Sequence, residues 1–336
     1  NRPIKPVRLL GEDLVIFRDE RGRYGLIARR CPHRGTDLAY GRLENGGLRC
    51  AFHGWLFDIN GKCLETPAEP DDSNLCANIR QKSYPVVEKS GILFAYLGPG
   101  EPPALPHFDC FIAPDSHTFA FKGMIDCNWL QSLEVGIDPV HTSFLHRFFH
   151  DEDPSQAYGK LFRDTSRDSD MPMSRIMREY TRPRIEVEPT AFGFRLVTLR
   201  QISDRSTHVR VTNLMFPNAF ILPMSREMTI TQWHVPVDDE KHYWYAIFTS
   251  FGAPVDKELH PFRQRVELPQ QRDAGWQQRG AQSTLGGNPF GCCGRISQRG
   301  TAAVDRIVVG IELAGEEPEE AFAPALVQRQ ISAAEL

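Results

Sequence analysis

The sequence lacks an excess of basic residues, a long apolar run and a dense set of cysteines. Its 39 lysines and arginines stand against 43 aspartates and glutamates, a net charge of −4, which disfavours a nucleic-acid-binding surface. No apolar run approaches the roughly 18 to 20 residues that span a membrane. Eight cysteines in 336 residues are too few for a disulfide scaffold. We therefore expect a cytoplasmic protein that binds neither nucleic acid nor membrane, with thiols that ligate metal or lie in the core.

Helical periodicity is absent from residues 7 to 98, where strand patterns are frequent. Two apolar runs flank a polar turn in DLVIFRDERGRYGLIA, and a second hairpin pattern turns at Asn60-Gly61. These patterns predict an all-β domain over residues 1–100, followed by a proline- and glycine-rich linker over residues 101–118. Because the first residue is Asn1 and strand-like sequence begins almost at once, we expect an N-terminal piece to be missing.

Residues 119–336 form the predicted second domain. The stretch NWLQSLEVGIDPVHTSFLH has strong helical periodicity, and residues 184–250 alternate as strands. The predicted fold class is therefore α+β, with an all-β domain followed by an antiparallel sheet that carries helices, in a helix-grip-like arrangement. Residues 269–303 are anomalous, because they have little periodicity and much glutamine, arginine and glycine.

Two short motifs each pair one cysteine with one histidine. Cys31 and His33 lie in CPHRG, and Cys50 and His53 lie in CAFHGW. Zinc fingers pair cysteine with cysteine and histidine with histidine. The mixed pairs here instead suit a [2Fe-2S] cluster that has two thiolates on one iron and two imidazoles on the other. Structural zinc and a chance grouping of core cysteines with surface histidines are the alternatives.

The helical stretch carries a second set of candidate ligands. On a continuous helix Glu134, Asp138 and His141 lie at i, i+4 and i+7 and share one face. His146 is turned away from that face by roughly 140°, so the helix must end or distort between the two histidines if both bind one metal. Two histidines and one carboxylate are the facial arrangement of non-haem Fe(II). A plain amphipathic helix with a polar face is the alternative.

Together the two motifs resemble those of Rieske non-haem iron aromatic-ring-hydroxylating oxygenases. CPHRG and CAFHGWLFD resemble the family's cluster motifs, and the stretch from Asn128 to His146 resembles its iron motif without a gap. Segments such as FRDERG, GKCLETP and SFGAPVDKE are similar to the catalytic (α) subunits of the phthalate-dioxygenase-like branch. The resemblance covers roughly residues 1 to 268. Respiratory Rieske proteins carry an extra cysteine in each cluster loop; neither loop here has one, and Cys63 has no obvious partner.

The resemblance implies a role for each candidate residue. The implied metal ligands are Cys31 and Cys50 on one cluster iron, His33 and His53 on the other, and His141 and His146 on a mononuclear iron. Asp138 is implied to be no ligand but the bridge between His141 and the cluster histidine His53 of a neighbouring subunit. This bridge requires a homo-oligomer, and the family implies trimers or stacked trimers, that is, hexamers.

The implied activity is that of an oxygenase component in the catabolism of aromatic compounds. Electrons from NADH pass through a flavin and [2Fe-2S] reductase to the cluster and then to Fe(II), which activates O2. The implied reaction is dihydroxylation or oxidative demethylation of an aromatic ring compound, without a small β subunit. The resemblance implies an aromatic carboxylate as the substrate, and an arginine would bind that carboxylate bidentately. The unranked arginine candidates are Arg182, Arg184, Arg195, Arg200 and Arg210.

The sequence lacks a carboxylate where the family carries its third iron ligand. Between Glu267 and Asp305 the only acidic residue is Asp273. Three explanations are open: a paired frameshift over residues 269–303, which the composition favours; a variant that uses Asp273, Asp305 or water; or an inactive iron site. We expect weak binding of the mononuclear iron and leave its third ligand unassigned. The alternative function is a Rieske electron-transfer protein whose catalytic iron site is defective.

Overall fold

The computed structural model describes residues 3–145, 173–224, 227–255, 308–312 and 331–332. Antiparallel sheets dominate these residues and helices are few, as the sequence predicts. Among the described residues no helix is both long and apolar enough to cross a membrane.

The first part of the chain builds three small sheets. Its strands are β1 (Ile4–Leu9), β2 (Glu12–Arg18), β3 (Tyr24–Ala28), β4 (Arg42–Glu44), β5 (Gly47–Arg49), β6 (Leu56–Phe57), β7 (Cys63–Glu65), β8 (Ser83–Tyr84), β9 (Val86–Lys89) and β10 (Ile92–Tyr96). One sheet has the order β1-β2-β3-β8, and a second has the order β4-β5-β6-β7. In the third, β10 lies between β9 and the late strand β18 (Val308–Glu312). A one-turn helix, α1 (Leu75–Asn78), packs against β7.

Three of the hairpins close through two-residue turns that end in glycine. The turns Leu10-Gly11, Asn45-Gly46 and Ser90-Gly91 all have positive φ at both positions, between 50° and 79°. This geometry is the type I′ turn, whose twist matches that of the flanking strands. The two hairpins predicted from the sequence, β2 with β3 and β6 with β7, are also present.

The second part of the chain builds one large antiparallel sheet. Its strands are β11 (Thr118–Ile125), β12 (Arg184–Thr190), β13 (Gly193–Ser203), β14 (Ser206–Met215), β15 (Ala219–Pro223), β16 (Met228–Pro236), β17 (His242–Ser250) and β19 (Ile331–Ser332). The order is β11-β17-β16-β15-β14-β13-β12, with β19 paired to β14. Within the described residues, two helices accompany it, α2 (Trp129–Ile137) and α3 (Met173–Glu179). Helix α2 packs on β15 and β16 through Leu133, which contacts Leu214 and Phe220 in a small apolar core.

The main apolar core joins the two parts of the chain. Leu9 and Phe94 from the first part lie in one buried cluster with Trp233 and Ile247 from the large sheet. The β1–β2 turn also donates backbone hydrogen bonds of 2.9 Å to the carbonyls of Pro236 and Val237. The first part therefore rests on the large sheet through packed side chains as well as backbone hydrogen bonds.

Candidate functional site

The two cysteine-histidine motifs form two loops with the same backbone closure. In the first loop the N–H of Gly35 donates to the carbonyl of Cys31 at 2.9 Å; in the second, the N–H of Gly54 donates to the carbonyl of Cys50 at 3.1 Å. Both glycines have a positive φ, 70° and 73°, a conformation that other residues adopt only with strain. Each loop is therefore a tight turn that holds its cysteine and its histidine close together in the chain.

The four candidate cluster ligands converge. The rings of His33 and His53 have centroids 4.5 Å apart, and Cys31 and Cys50 are buried, at 3% and 2% exposure. Burial raises the pKa of the Cys31 thiol to about 11, although backbone N–H groups of His33 and Arg34 act in the opposite direction. Such N–H groups stabilise a thiolate, so they suit a sulfur that binds iron.

The environment of His33 fits a metal ligand. Its Nδ1 atom is buried and has no hydrogen-bond partner among the described residues. The ring stacks on Trp55 at a centroid distance of 4.6 Å and an interplanar angle of 6°, which fixes the ring plane. A buried imidazole nitrogen without a partner is costly in a protein interior, and coordination of iron removes that cost. The residues present therefore fit a [2Fe-2S] cluster.

A buried arginine holds the second loop in place. Arg49 donates from Nη1 to the carbonyl of Gly54, beside His53, at 2.6 Å, and from Nη2 to Glu65 at 2.6 Å. Its Nε atom also pairs with Glu44. Arg49 is 8% exposed, so these charge-assisted bonds are weakly screened by solvent. The sequence patterns did not indicate this residue, because Arg49 reaches Glu65 only through the sheet order, in which β6 lies between β5 and β7.

The second site begins at the end of helix α2. Asn128 caps the start of the helix, its Oδ1 accepting from the N–H of Leu130 at 3.0 Å. The helix ends at Ile137, with Asp138 as its C-cap residue. The expectation that Glu134, Asp138 and His141 share one face of a continuous helix is therefore wrong. Pro139 is the cause, since it has no N–H and disfavours a helical conformation at the preceding residue.

Asp138 organises the turn that follows the helix. Its carboxylate accepts from the N–H of Val140 at 2.8 Å and from the N–H of His141 at 3.0 Å. The chain then forms a 3-10 turn, His141–Ser143. The helix thus already ends before His141, at Ile137.

The His141 ring is oriented by the same residue. Its Nδ1 lies 2.6 Å from the backbone carbonyl of Asp138 and 3.6 Å from a carboxylate oxygen of that residue. Since a carbonyl can only accept, Nδ1 carries the proton and Nε2 keeps its lone pair. Burial lowers the pKa of His141, partly offset by Asp138, so the ring is neutral at neutral pH, as a metal ligand must be.

The structure describes only part of the predicted iron site. His146, Asp273 and Asp305 lie outside the described residues. Among the residues that are described, no three histidine, cysteine, aspartate or glutamate side chains are arranged around a single metal ion. The structure therefore describes one half of this site, Asp138 with His141.

The large sheet presents two buried arginines and a buried histidine to this half-site. Arg200 and His208 are direct partners on β13 and β14, and Arg210 lies two residues along β14 on the same face. Arg200 donates from Nη2 to the carbonyl of Pro139 at 2.8 Å, which places this face against the Asp138–His141 turn. Of the remaining arginine candidates, Arg182 and Arg184 are exposed.

These buried cations have no acidic partner in the described part of the chain. Arg200 is 1% exposed and Arg210 is 5% exposed, and no ion pair joins either to a described carboxylate. Arg200 Nη1, Arg210 Nε and His208 Nδ1 have no hydrogen-bond partner among the described residues. Burial, and secondarily Arg200, lowers the pKa of Arg210 to about 10. Burial, and secondarily the two arginines, lowers the pKa of His208 to about 4.

Two family descriptions match the chain in the order that the structure shows. "Rieske [2Fe-2S] domain" matches residues 1–85. "LigXa C-terminal domain like" matches residues 95–267, just over half of the 336 residues. The chain belongs to the Rieske oxygenase family. The matches cover nearly the range over which the sequence resembles this family, and they end two residues before the anomalous segment begins.

Relatives of this Rieske oxygenase include enzymes of the phthalate-dioxygenase branch. The chain is 38% identical to the phthalate 4,5-dioxygenase oxygenase subunit of Pseudomonas putida, over 74% of this chain and 55% of that protein. It is 36% identical to the phenoxybenzoate dioxygenase subunit alpha of Ectopseudomonas oleovorans, over 70% of this chain and 57% of that protein. The chain thus spans little more than half the length of these two relatives.

A solved structure shows the same fold. Dicamba monooxygenase bound to 3,6-dichlorosalicylic acid aligns with a TM-score of 0.58 at 19% identity, covering 78% of each chain. The predicted fold class is confirmed by this match and by the antiparallel sheets described above. None of these comparisons favours the alternative of an electron-transfer protein with a defective iron site, and residues 269–303, on which that alternative depends, lie outside the described residues.

Proposed function

We propose that this chain acts as the oxygenase component of a Rieske non-haem iron system that uses O2 and NADH-derived electrons on an aromatic carboxylate. The reaction is ring dihydroxylation or oxidative demethylation, and the electrons arrive through a flavin and [2Fe-2S] reductase. The observation that carries the proposal is that one chain holds two separate elements whose residues suit metal binding. One is the pair of loops that hold Cys31, His33, Cys50 and His53, and the other is the Asp138–His141 turn.

Each element has one task in this proposal. When bound, the [2Fe-2S] cluster accepts and donates single electrons, and Fe(II) on His141 and His146 activates O2. The protein's part is to keep the His141 ring neutral and oriented through the Asp138 carbonyl. The third iron ligand stays open among Asp273, Asp305 and water.

We further propose that electrons cross between neighbouring chains, from His53 of one to Asp138 and His141 of the next. The Asp138 side chain is 45% exposed, so one side of its carboxylate is accessible to another chain. Phe52 is 63% exposed, although the centroid of its ring lies 4.0 Å from that of the His53 ring. An exposed aromatic at the rim of a redox centre suits a protein interface. A homotrimer or a hexamer would bring the two surfaces together.

The proposed domain boundaries are those predicted from the sequence. The cluster domain is residues 1–100, the linker residues 101–118 and the catalytic domain residues 119–336. The two family matches, which are separated between residues 85 and 95, support a boundary near residue 100. We place the protein in the cytoplasm, with the reductase and a small aromatic molecule as its partners.

Arg210 supports a carboxylate as the anionic part of the substrate. Its guanidinium is buried beside His141, whose pKa it affects, and it lacks an acidic partner among the described residues. A buried, unpaired cation is strongly unfavourable unless an anion neutralises it. Phthalate, phenoxybenzoate and dicamba, which appear in the names of the relatives, all carry a carboxylate. We rank Arg210 first among the five arginines, because Arg200 already binds the carbonyls of Pro139 and Tyr180.

Substrate binding tests this assignment. Titration calorimetry with phthalate, phenoxybenzoate and dicamba, each beside its uncharged amide, should show preference for the carboxylates. Arg210→Gln should weaken carboxylate binding by roughly 10- to 100-fold, since a bond to a charged group contributes about 1.5 to 3 kcal/mol. Arg195→Gln is the matched control, because Arg195 lies on the same sheet but pairs with Glu188 and Asn213. Equal losses for both variants, or equal binding of acids and amides, would overturn the assignment.

A further inference from the structure

Two cysteines that the proposed function does not use lie next to each other in the first domain. Cys63 Sγ and Cys76 Sγ are 3.5 Å apart. Cys63, on strand β7, is 2% exposed, whereas Cys76, on helix α1, is half-buried. The sequence offered no obvious partner for Cys63; the structure supplies Cys76, because α1 packs against β7.

The pair lies directly behind the cluster loops. Cys63 belongs to the same buried apolar core as Cys31, Cys50 and Trp55, and Cys76 packs against that core. The Cys63 thiol also points at the backbone carbonyl of Glu65, at 3.6 Å. Glu65 in turn binds Arg49, which binds the carbonyl of Gly54 beside His53. Structural change at Cys63 is thus connected to the second cluster loop through two charge-assisted contacts.

We propose that Cys63 and Cys76 form a reversible disulfide that responds to small-molecule disulfides such as glutathione disulfide. The sulfur atoms need to approach by about 1.5 Å to reach bonding distance, which rotation of the two side chains and a small shift of a one-turn helix can supply. Pairs of this kind in proteins kept under reducing conditions are transient and redox-responsive. The site is thus a candidate redox modification site next to the cluster.

The reaction is a two-step thiol–disulfide exchange. The thiolate of Cys76, the more exposed of the two, attacks one sulfur of glutathione disulfide, forms a mixed disulfide and releases one glutathione thiolate. The Cys63 thiolate then attacks Cys76 Sγ and releases the second glutathione. Two protein S–H bonds and one glutathione S–S bond are lost, while one protein S–S bond and two glutathione S–H bonds form. The two protons pass from the protein thiols to the glutathione thiolates.

The disulfide changes the support of the second cluster loop in two ways. It ties α1 covalently to β7, and it removes the S–H donor that Cys63 directs at Glu65. Because Glu65 and Arg49 hold the loop beside His53, the tie should restrict opening of the cluster site. We expect cluster loss to an iron chelator to slow at least twofold in the disulfide form.

Peptide mapping of the cluster-loaded protein tests the proposal directly. Trypsin releases residues 63–80 as one peptide that contains Cys63 and Cys76 and no other cysteine. After equilibration in glutathione buffers of rising disulfide fraction, this peptide should become lighter by two hydrogen atoms and should lose both alkylation sites. Dithiothreitol should restore both sites. The acid-labile sulfide content should stay constant, and the rate of cluster loss to the chelator should follow the disulfide fraction.

Two cysteine variants serve as controls for the peptide mapping. Cys110→Ser, which changes a buried cysteine of another core, should leave the oxidation of residues 63–80 unchanged, whereas Cys76→Ser should abolish it. The wild-type titration decides the question by itself if a variant fails to fold. Two alkylated cysteines in the most oxidising buffer, a stable glutathione adduct on Cys76, or a linkage to the separate tryptic peptides of Cys31 or Cys50 would each overturn the proposal. Since none of these readouts needs turnover, the proposal can fail while the oxygenase function stands.

Discussion

The imidazole of His141 hydrogen-bonds through Nδ1 to the backbone carbonyl of Asp138, 2.6 Å away, while the carboxylate of Asp138 lies 3.6 Å from the same nitrogen. Asp138 therefore orients His141 by its backbone, and its side chain stays half-exposed. This division of roles is compatible with the proposed bridge, in which the backbone orients His141 and the carboxylate faces another chain. In the proposed iron site, Nε2 of His141 is the nitrogen that would bind the metal.

The first prediction concerns this division. Asp138→Asn keeps the backbone carbonyl that orients His141 and one of the two side-chain acceptors of the turn, but removes the carboxylate charge. Both metal sites should therefore still load, while electron transfer between them slows by about 10- to 100-fold. Stopped-flow reoxidation of the reduced cluster measures that step. The control is Asp126→Asn. The Asp126 side chain is 83% exposed, and its carboxylate lies 3.7 Å from the Lys241 ammonium group. Parent-like transfer in Asp138→Asn, or a monomer by sedimentation at micromolar concentration, would contradict the bridging role.

The second prediction concerns the support of the second cluster loop. Arg49→Lys should lower the free energy of unfolding by about 1 to 3 kcal/mol and accelerate cluster loss to a chelator several-fold, because lysine cannot reproduce the fork of a guanidinium. Arg42→Lys is a matched control on the adjacent strand, where the arginine side chain is 60% exposed and lies 3.6 Å from Glu44. That change should stay within about 0.5 kcal/mol. If both variants lose the cluster at the same rate, Arg49 has no special part in holding the loop.

The third prediction is a pH dependence of carboxylate binding. Burial lowers the pKa of Arg210 to about 10, and a bound carboxylate favours the cation. Affinity should therefore be constant through neutral pH and should fall as the pH rises through about 10. His208, whose pKa burial lowers to about 4, stays neutral over this range and adds no slope. Calorimetry from about pH 6 to about pH 10.5, an interval that includes the Arg210 pKa of about 10, measures the profile. A fall in affinity between pH 6 and 8 would point to a group other than Arg210.

The fourth prediction concerns the start of helix α2. Asn128 caps the helix through Oδ1 and also donates from Nδ2 to the carbonyl of Asp239 at 3.0 Å. Asn128→Ala should lower the free energy of unfolding by about 1 to 2 kcal/mol, measured by urea denaturation. Asn128→Asp keeps the capping acceptor but loses the donor to Asp239, so its loss should be smaller. A larger loss in the aspartate variant would show that the Asp239 bond, rather than the cap, stabilises the helix.

Local patterns were sufficient to predict the strands and the [2Fe-2S] cluster. Alternation and turn residues placed the hairpins of the first domain, and the mixed pairs Cys31 with His33 and Cys50 with His53 indicated an iron–sulfur cluster before any geometry was known. The end of helix α2 differs from the sequence expectation, because Pro139 has no N–H and disfavours a helical conformation at Asp138, although the i, i+4, i+7 spacing continues to His141. That spacing had no structural meaning once the helix ended at Ile137.

Contacts between distant parts of the chain could not be predicted in the same way. Arg49 meets Glu65 because β6 lies between β5 and β7 in one sheet, and no local pattern specifies that order. Cys76 reaches Cys63 only because α1 packs on β7. Arg200 and Arg210 were two of five equivalent candidates until the register of β13 and β14 placed them on the buried face with His208.

Single turnover with labelled oxygen tests the central claim most directly. The cluster is reduced anaerobically, excess reductant is removed, and 18O2 is added together with phthalate, phenoxybenzoate or dicamba. If the chain is an oxygenase component, the cluster reoxidises and 18O appears in a hydroxylated product, or in the formaldehyde of a demethylation, in proportion to the electrons supplied. A fully reduced cluster that reoxidises without any incorporation of 18O, in protein shown to hold mononuclear iron, would contradict the account and would instead establish an electron-transfer protein.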